Sequence, residues 1–184
     1  MARTIVFNKD IILSKTKEFI KEYGIDKMNV RDLCKYIGCS TQPLFKNFIN
    51  MEEFKHELKI YLHNYYDSFI NEIINQDDYL YTISYAYTLF ACHEPNIFKA
   101  LFMSDLAGSR TIDEVLKSSW NLDTIESIPK QYHLNKQKAS ILYRDVRFYT
   151  HGLSCQIAIN SIVVNDKEIK QLIKNIINNL VKVI

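Results

Sequence analysis

The chain has 184 residues, of which 47% are hydrophobic and 24% are charged, and its net charge is +2. This composition excludes a disordered chain, and the length is sufficient for one or two domains with a buried core. No apolar run reaches the roughly 20 residues of a membrane helix, and the first residues are too polar for a signal peptide, so we expect a cytoplasmic protein without a membrane partner. Because only 4 glycines and 3 prolines are present, tight hairpins have few places to form and an all-α fold is favoured.

Three short helices are predicted within the first 50 residues. The first covers residues 9–23, where apolar side chains recur on one face. The second begins after Asn29, a natural N-cap, and ends at Gly38. The third contains Pro43, and proline is tolerated only in the first turn of a helix. We therefore place the start of the third helix after Ser40 as N-cap, or one or two residues later.

The rest of the sequence is also predicted to be helical. A connecting helix is expected over 51–75, and the last part of the chain carries a long helix over 136–162, in which Gly152 suggests close packing against a neighbour. A break is expected around Pro129. The other predicted helices cover 79–94, 96–106, 111–122 and 166–184. With no strand pair and no internal repeat, we predict an all-α fold of about nine helices, divided into domains over 1–50 and 51–184.

The second and third helices have the features of a helix-turn-helix. Val30, Leu33 and Ile37 give the second helix an apolar face, and Gly38 suits a tight turn because it has no Cβ. In such a motif the start of the third helix presents polar side chains to the major groove of DNA. Residues 1–60 also carry a net charge of +3, whereas the rest carries −1, which fits an anionic partner for the first part of the chain.

Residues 11–54 resemble the DNA-binding domain of TetR-type transcriptional regulators. The chain departs from the family at Phe45, where tyrosine is usual, and at Met51, where lysine is frequent, so we expect fewer contacts to DNA phosphates. Outside this region the resemblance is mainly one of helix order, with a His-Gly-Leu match at 151–153. The matching features are Ile12 and Leu13, Gly24, Val-Arg-Asp-Leu at 30–33, Gly-x-Ser at 38–40, Leu-aromatic-x-x-Phe at 44–48 and Asn-x-Glu-Glu at 50–53.

The resemblance implies that the third helix enters the major groove. Gln42 suits the edge of adenine, Thr41 the methyl group of thymine, and Lys46 a guanine or a phosphate. Without the motif, the same polar side chains are ordinary solvated positions on a small helical bundle. The full predicted DNA-binding set is Lys27, Arg31, Thr41, Gln42, Pro43, Phe45, Lys46 and Asn47, in which Lys27, Arg31 and Asn47 would lie over the DNA backbone.

The resemblance also implies a homodimer that forms through the last two helices. Both helices carry apolar stripes, and two such helices paired with their symmetry mates make a four-helix interface. A stripe alone does not distinguish an interface from the protein's own core. The predicted interface residues are Phe148, Cys155, Ile159, Ile169, Ile173, Ile176 and Leu180.

A small-molecule site in the larger domain is the third implication of the resemblance. Aromatic side chains suit the wall of such a cavity, with a basic side chain as the polar contact. For any single aromatic residue at helical spacing, a place in the core is the stronger alternative. The predicted ligand-binding residues are Tyr85, Phe98, Phe102, Trp120, Tyr143, Arg147, Tyr149 and His151.

The sequence therefore predicts a ligand-responsive dimeric regulator, most simply a repressor that binds a palindromic operator and is released by a small molecule. The alternatives are control by a protein partner and a small helical enzyme. Glu53-x-x-His56 is half of a di-iron pair, but the second half is missing, so no metal, cofactor or catalytic site is expected. The four cysteines form no C-x-x-C pair, which favours buried free thiols over redox sensing by one of them.

Overall fold

A computed structural model describes residues 7–184, apart from the side chains of Ser119 and Trp120. Over this range the chain forms ten α-helices, two short 3-10 turns and no strand, which confirms the all-α prediction. The 3-10 turns are Ile25–Lys27 and Gln76–Asp78. The helices are α1 (Lys9–Tyr23), α2 (Val30–Ile37), α3 (Gln42–Asn47), α4 (Met51–Asn71), α5 (Tyr79–His93), α6 (Pro95–Phe102), α7 (Ile112–Leu116), α8 (Ser119–Tyr132), α9 (Lys136–Ala158) and α10 (Asp166–Val183).

The chain divides into two compact units. Unit 1 contains the chain up to Tyr66 together with Asn96–Ala107, and unit 2 contains Asp67–Pro95 and Gly108–Ile184. Helix α4 contributes residues to both units. The predicted domains over 1–50 and 51–184 were defined by function, DNA binding in the first and effector binding in the second. The compact units do not test that division, and it stays a prediction.

The first two helices of unit 1 begin and end where the sequence predicts. Asn29 caps α2, since its Oδ1 accepts a hydrogen bond from the backbone N–H of Asp32 at 3.0 Å. Asn8 caps α1 in the same way, by accepting from the N–H of Ile11 at 2.9 Å. Gly38 follows α2 with φ 81° and ψ 34°, a left-handed conformation that glycine adopts without steric cost.

The core of unit 1 is built from α1, α2, α3, α4 and α6. The rings of Phe48 and Phe54 meet edge to face with their centroids 5.1 Å apart, so α3 and α4 are joined by an aromatic pair. The larger buried side chains of this core are Ile12, Leu13, Phe19, Ile20, Leu33, Leu44, Phe48, Phe54, Leu58, Leu62, Ile97, Phe98 and Leu101.

The core of unit 2 lies among α5, α8, α9 and α10. Every one of these helices contributes buried apolar side chains to a single cluster, and α10 contributes one residue every fourth position. That spacing is the inner stripe of an amphipathic helix. The buried members of the cluster are Leu80, Ile125, Ile128, Ala139, Leu142, Tyr143, Val146, Ile169, Ile173 and Ile177.

Several helix boundaries differ from the prediction. The break expected around Pro129 is wrong, because α8 continues through it to Tyr132. Ile125, one turn before the proline, and Ile128, directly before it, are buried and hold the helix in place. Helix α4 ends at Asn71 rather than at residue 75. The range 111–122, predicted as one helix, contains α7 and the start of α8, which continues to Tyr132.

The end of α9 also differs, because this helix stops at Ala158 and not at residue 162. Asn160 then adopts φ 56°, and asparagine is one of the few residues that tolerate this left-handed conformation. The close packing expected at Gly152 is wrong within this chain, since a Cβ placed there would meet no other atom within 4 Å.

Glu53 ties the start of α4 to α1. One of its carboxylate oxygens accepts a hydrogen bond from the backbone N–H of Ile49, and Oε1 accepts from Nζ of Lys9 at 3.0 Å. These two contacts, the backbone bond first, lower the pKa of Glu53 below its usual range. Lys9 also lies 3.5 Å from Oε1 of Glu57 and 5.1 Å from the ring centre of Phe48.

Replacing Glu53 by glutamine is expected to lower the free energy of unfolding at neutral pH. Since the pKa of Glu53 is lower in the folded chain than in the unfolded chain, its stabilisation is fully present above the unfolded pKa. It is lost as the pH falls through the folded pKa. Urea unfolding of both proteins across the acid range should therefore show a difference that shrinks toward low pH. The matched control is Glu52→Gln, whose carboxylate meets only the exposed Lys55 at 3.6 Å. An equal loss at every pH would contradict this role for Glu53.

Candidate nucleic-acid interface

The turn between α2 and α3 closes with two backbone hydrogen bonds. The N–H of Cys39 donates to the carbonyl oxygen of Cys34 at 2.9 Å, and the N–H of Gly38 donates to that of Lys35 at 3.2 Å. This pattern, with a left-handed glycine between, is the Schellman motif, which satisfies the last carbonyl groups of a helix. The chain therefore reverses tightly after α2 without leaving those carbonyls unpaired.

With Ser40 as N-cap, α3 would begin at Thr41. The helix begins instead at Gln42, one residue later. Thr41 occupies the N-cap position and Pro43 the second helical position. The first residues of an α-helix have no intrahelical partner for their N–H groups, so Pro43 removes no hydrogen bond there. The prediction that this proline marks a helix start is confirmed.

The start of α3 presents polar side chains on its outer face. Thr41, Gln42 and Lys46 are exposed. On the inner face Leu44 and Phe48 are buried, and they fix the rotation of this short helix about its axis. The three side chains predicted to face bases thus lie together on one accessible surface.

The other residues of the predicted DNA-binding set have different surroundings. Lys27 and Arg31 are exposed, and Pro43 is half-buried. Phe45 is 50% exposed. The side-chain amide of Asn47 donates to the carbonyl oxygens of Phe7 and Pro43, both at 2.8 Å. These two hydrogen bonds anchor Asn47 within unit 1, and its contact with the DNA backbone stays a prediction.

A cleft of about 640 Å³ also lies in unit 1. Nζ of Lys59 donates to the carbonyl oxygen of Ala107 at 3.2 Å beside it. The predicted ligand-binding residues do not line this cleft. Its walls are residues of the first 3-10 turn, the first turns of α4 and the chain after α6: Ile25, Asp26, Met28, Glu52, Lys55, His56, Lys59, Met103, Ser104, Asp105 and Leu106.

The predicted ligand-binding residues are divided between the two units. Phe98 and Phe102 belong to unit 1, where their ring centroids are 5.1 Å apart and where Phe98 is fully buried; their contact with a ligand stays a prediction. The Tyr85 hydroxyl donates to Asp166 and thereby joins α5 to α10. Tyr149 is exposed on α9, and the side chain of Trp120 lies outside the described residues.

Tyr143, Arg147 and His151 do come together, along one face of α9. The Tyr143 hydroxyl donates to Oδ1 of Asn121 at 2.5 Å, and Nδ1 of His151 lies 2.8 Å from the hydroxyl of Tyr87. Burial raises the pKa of Tyr143 to about 12, although the nearby Arg147 opposes this. Burial and then Arg147 lower the pKa of His151, so its imidazole is neutral near pH 7.

Sequence reasoning missed Tyr87, a central member of this group. Burial raises its pKa, and the charge of Arg147 opposes the rise. Tyr87 is one of four tyrosines in α5, and their spacing in the sequence does not distinguish it from the others. Only its place opposite His151 reveals its role.

Arg147 is the charged member of this polar group. Its neighbour Arg144 pairs with Asp145 at 2.7 Å, whereas Arg147 forms no ion pair with any residue that the structure describes. One turn from Asn121 along α8, the hydroxyl of the fully buried Thr124 has no hydrogen-bond partner within the described chain. The Thr124 hydroxyl is suited to a polar ligand, because a buried donor without a partner is costly.

The outer face of α9 carries an exposed apolar strip. Phe148 is 51% exposed and Ile159 is 54% exposed, and the half-buried Cys155 lies between them. The open position at Gly152 falls on the same face, since residues four, seven and eleven positions apart align along a helix. These three predicted interface residues are thus available to a second molecule.

The predicted interface residues of α10 divide between two environments. Ile169 and Ile173 are 2% and 0% exposed and belong to the core of unit 2. Their predicted place in a dimer interface is wrong, because the inner stripe of α10 already packs on α5 and α9. Ile176 and Leu180 lie at the edge of this core and are half-buried.

The described part of the chain contains neither a membrane-spanning helix nor a cluster of metal-binding side chains. Within 7–184 no helix is long and apolar enough to cross a membrane. No group of three His, Cys, Asp or Glu side chains is arranged there to hold a metal ion. Glu53, the carboxylate of the Glu53-x-x-His56 spacing, is engaged by Lys9 and by the backbone of Ile49.

The chain was compared with known families, proteins and structures, and solved structures gave matches. No family model matches the chain, and no curated protein matches it in sequence. Among solved structures, the chain is similar to the crystal structure of a TetR transcriptional regulator from Rhodococcus sp. RHA1. The TM-score is 0.54 at 11% sequence identity, and the match covers 94% of this chain and 96% of that chain. At this identity the likeness concerns the fold. The chain has the fold of a TetR transcriptional regulator, as the resemblance of residues 11–54 implied.

Proposed function

We propose that this protein is a dimeric transcriptional regulator that binds DNA through α3. The observation that supports the proposal most directly is the helix-turn-helix of unit 1. Its Schellman turn and the buried Leu44 fix α3, and Gln42 and Lys46 are exposed at its outer face. A rigid helix with exposed polar side chains near its N-terminus is the element that helix-turn-helix proteins insert into the major groove.

The side chains of this surface suggest how DNA is read. Gln42 can form two hydrogen bonds with the edge of adenine, and Thr41 can contact a thymine methyl group. Lys46, Arg31 and Lys27 supply positive charge for phosphates and for bases. Gln42 is therefore the main candidate for sequence discrimination.

Dimerisation would use the strip on α9 that contains Phe148, Cys155 and Ile159. Exposed apolar side chains in one row are typical of a protein–protein contact, and a two-fold axis would bring two copies of the strip together. The half-buried Ile176 and Leu180 of α10 would border this contact. Two copies of α3 would then read a palindromic operator with half-sites roughly 34–36 Å apart.

The effector site would lie at the polar group formed by Tyr87, Asn121, Tyr143, Arg147 and His151. The guanidinium of Arg147, which has no ion pair among the described residues, favours an anionic ligand, and the surrounding tyrosines favour an aromatic one. Binding would shift the protein between two states that differ in DNA affinity, and release from the operator would end repression. Helix α4 contributes to both units and is the natural element to carry this coupling.

Gln42→Ala is expected to reduce discrimination between operator and random DNA by about 1–3 kcal/mol, since one base contact is lost. Lys46→Ala should instead weaken binding to both duplexes, with the salt slope reduced by about 0.9 if it neutralises one phosphate. Fluorescence anisotropy at several salt concentrations measures both effects. The matched control is Gln137→Ala, an exposed glutamine of α9. Unchanged discrimination in Gln42→Ala would reject the proposed base contact.

Phe148→Glu is expected to convert the dimer into a monomer at micromolar concentration, because a charge in the centre of an apolar contact costs about 2 kcal/mol or more. Sedimentation velocity measures the change. Val163→Glu is the control, since this residue is more exposed than Phe148 but lies outside the strip. A wild-type protein that is already monomeric would refute the dimer, and equal behaviour of both variants would refute the place of the interface.

Arg147→Ala is expected to weaken binding of the anionic aromatic dye anilinonaphthalene sulfonate about tenfold, because a hydrogen bond to a charged group is lost. Arg144→Ala, three residues away on α9 and paired with Asp145, should leave the dye affinity unchanged. Fluorescence titration gives both constants. If the dye shows no saturable binding, or if both variants lose affinity equally, the small-molecule site fails and control by a protein partner becomes the better explanation.

A further inference from the structure

Two of the four cysteines meet at the turn of the helix-turn-helix. Cys34 lies in the last turn of α2, and Cys39 follows Gly38 directly. The backbone bond between them, from the N–H of Cys39 to the carbonyl oxygen of Cys34, is 2.9 Å long. In a Schellman motif these are the two positions whose side chains frequently make an apolar contact. Here both positions hold a thiol.

The backbone geometry at this turn suits a disulfide. The backbones of the two cysteines are joined by a hydrogen bond of 2.9 Å and their thiols interact directly, which is the proximity that a disulfide requires, since it joins Cα atoms only roughly 4.4–6.8 Å apart.

The two thiols differ in access. Cys34 is only 4% exposed, whereas Cys39 is half-buried. Burial, and then interaction with the Cys39 thiol, raises the pKa of Cys34 to about 11. Cys34 is thus a protonated, shielded thiol next to a more accessible one. The other two cysteines, Cys92 and Cys155, belong to unit 2.

We propose that Cys34 and Cys39 are an oxidation site, at which hydrogen peroxide generates a reversible disulfide within the turn. The Cys39 thiolate attacks one peroxide oxygen, which breaks the O–O bond and gives a sulfenic acid and hydroxide. The proton lost by the Cys39 thiol converts the hydroxide to water. The Cys34 thiol then attacks the sulfenic sulfur, so that an S–S bond forms, the S–O bond breaks and a second water leaves with the Cys34 proton. In total, two thiols are oxidised and one peroxide is reduced to two waters.

The disulfide would change how α3 is presented. Bonded sulfur atoms are about 2.05 Å apart, much closer than two thiols in contact, so the turn must contract. Cys39 is separated from the first residue of α3 only by Ser40 and Thr41, and the contraction would shift this helix relative to α2. The effect on DNA affinity rests on the proposed function, whereas formation of the disulfide does not.

Mass spectrometry tests the oxidation site directly. The Cys92→Ala/Cys155→Ala variant, treated with hydrogen peroxide, is expected to lose about 2 Da, the two thiol hydrogens, and to regain them with dithiothreitol. Peptide mapping should then show Cys34 linked to Cys39, and mapping of the oxidised wild-type chain gives the same answer without any substitution. Adding Cys34→Ala or Cys39→Ala to this background should abolish the loss. Addition of oxygen atoms without loss of hydrogen, or a bond between two chains, would overturn the proposal.

A binding measurement tests the consequence for DNA. The reduced protein selects a duplex from random sequence, and the oxidised protein is expected to bind that duplex about tenfold more weakly, as loss of one base contact would give. In Cys39→Ala the ratio of the two dissociation constants should stay at one. A ratio of one in the wild type, with the disulfide present, would overturn the coupling to α3. If the reduced protein selects no duplex, the proposed function fails, and the mass measurement still decides whether the disulfide forms.

Discussion

The left-handed turn at Gly38 is the constraint on which the candidate DNA-binding surface depends. The two hydrogen bonds that close it, to the carbonyl oxygens of Cys34 and Lys35, end α2 and set the direction in which the chain leaves. Any side chain at residue 38 would be strained at its φ of 81°. Because α3 has only six residues, it cannot define its own orientation. The turn on one side and the burial of Leu44 and Phe48 on the other define it.

Helix α9 shows how one helix can serve two environments. Its inner face contributes Tyr143 and Val146 to the core of unit 2, and its outer face exposes Phe148 and Ile159. Arg147 lies between these faces, beside Tyr143 and without an ion pair among the described residues. The interface and the effector site that we propose thus occupy neighbouring positions on the same rigid element, and a ligand at Arg147 lies within two turns of the proposed dimer contact.

The local features of unit 1 could be predicted from the sequence because they are encoded by neighbouring residues. Asn29 caps the helix that starts at the next residue, Gly38 ends it, and Pro43 requires a helix start close to its own position. The predictions that were wrong depend instead on residues far apart in the sequence. Pro129 lies inside α8 because the buried Ile125 and Ile128 hold the helix through it, and burial depends on partners distant in sequence.

The all-α class, the helix-turn-helix and the exposed polar side chains at the start of α3 can be read from the sequence alone, since each follows from residues within a few positions of one another. Which apolar residues face the core depends on packing between distant helices. The stripe of α10 is compatible with a core or an interface, and packing on α5 and α9 assigned Ile169 and Ile173 to the core. Packing also brings the hydroxyl of Tyr87 to within 2.8 Å of Nδ1 of His151, a contact that the sequence does not reveal. Periodicity specifies a face of a helix, but the element that covers that face is set by long-range packing.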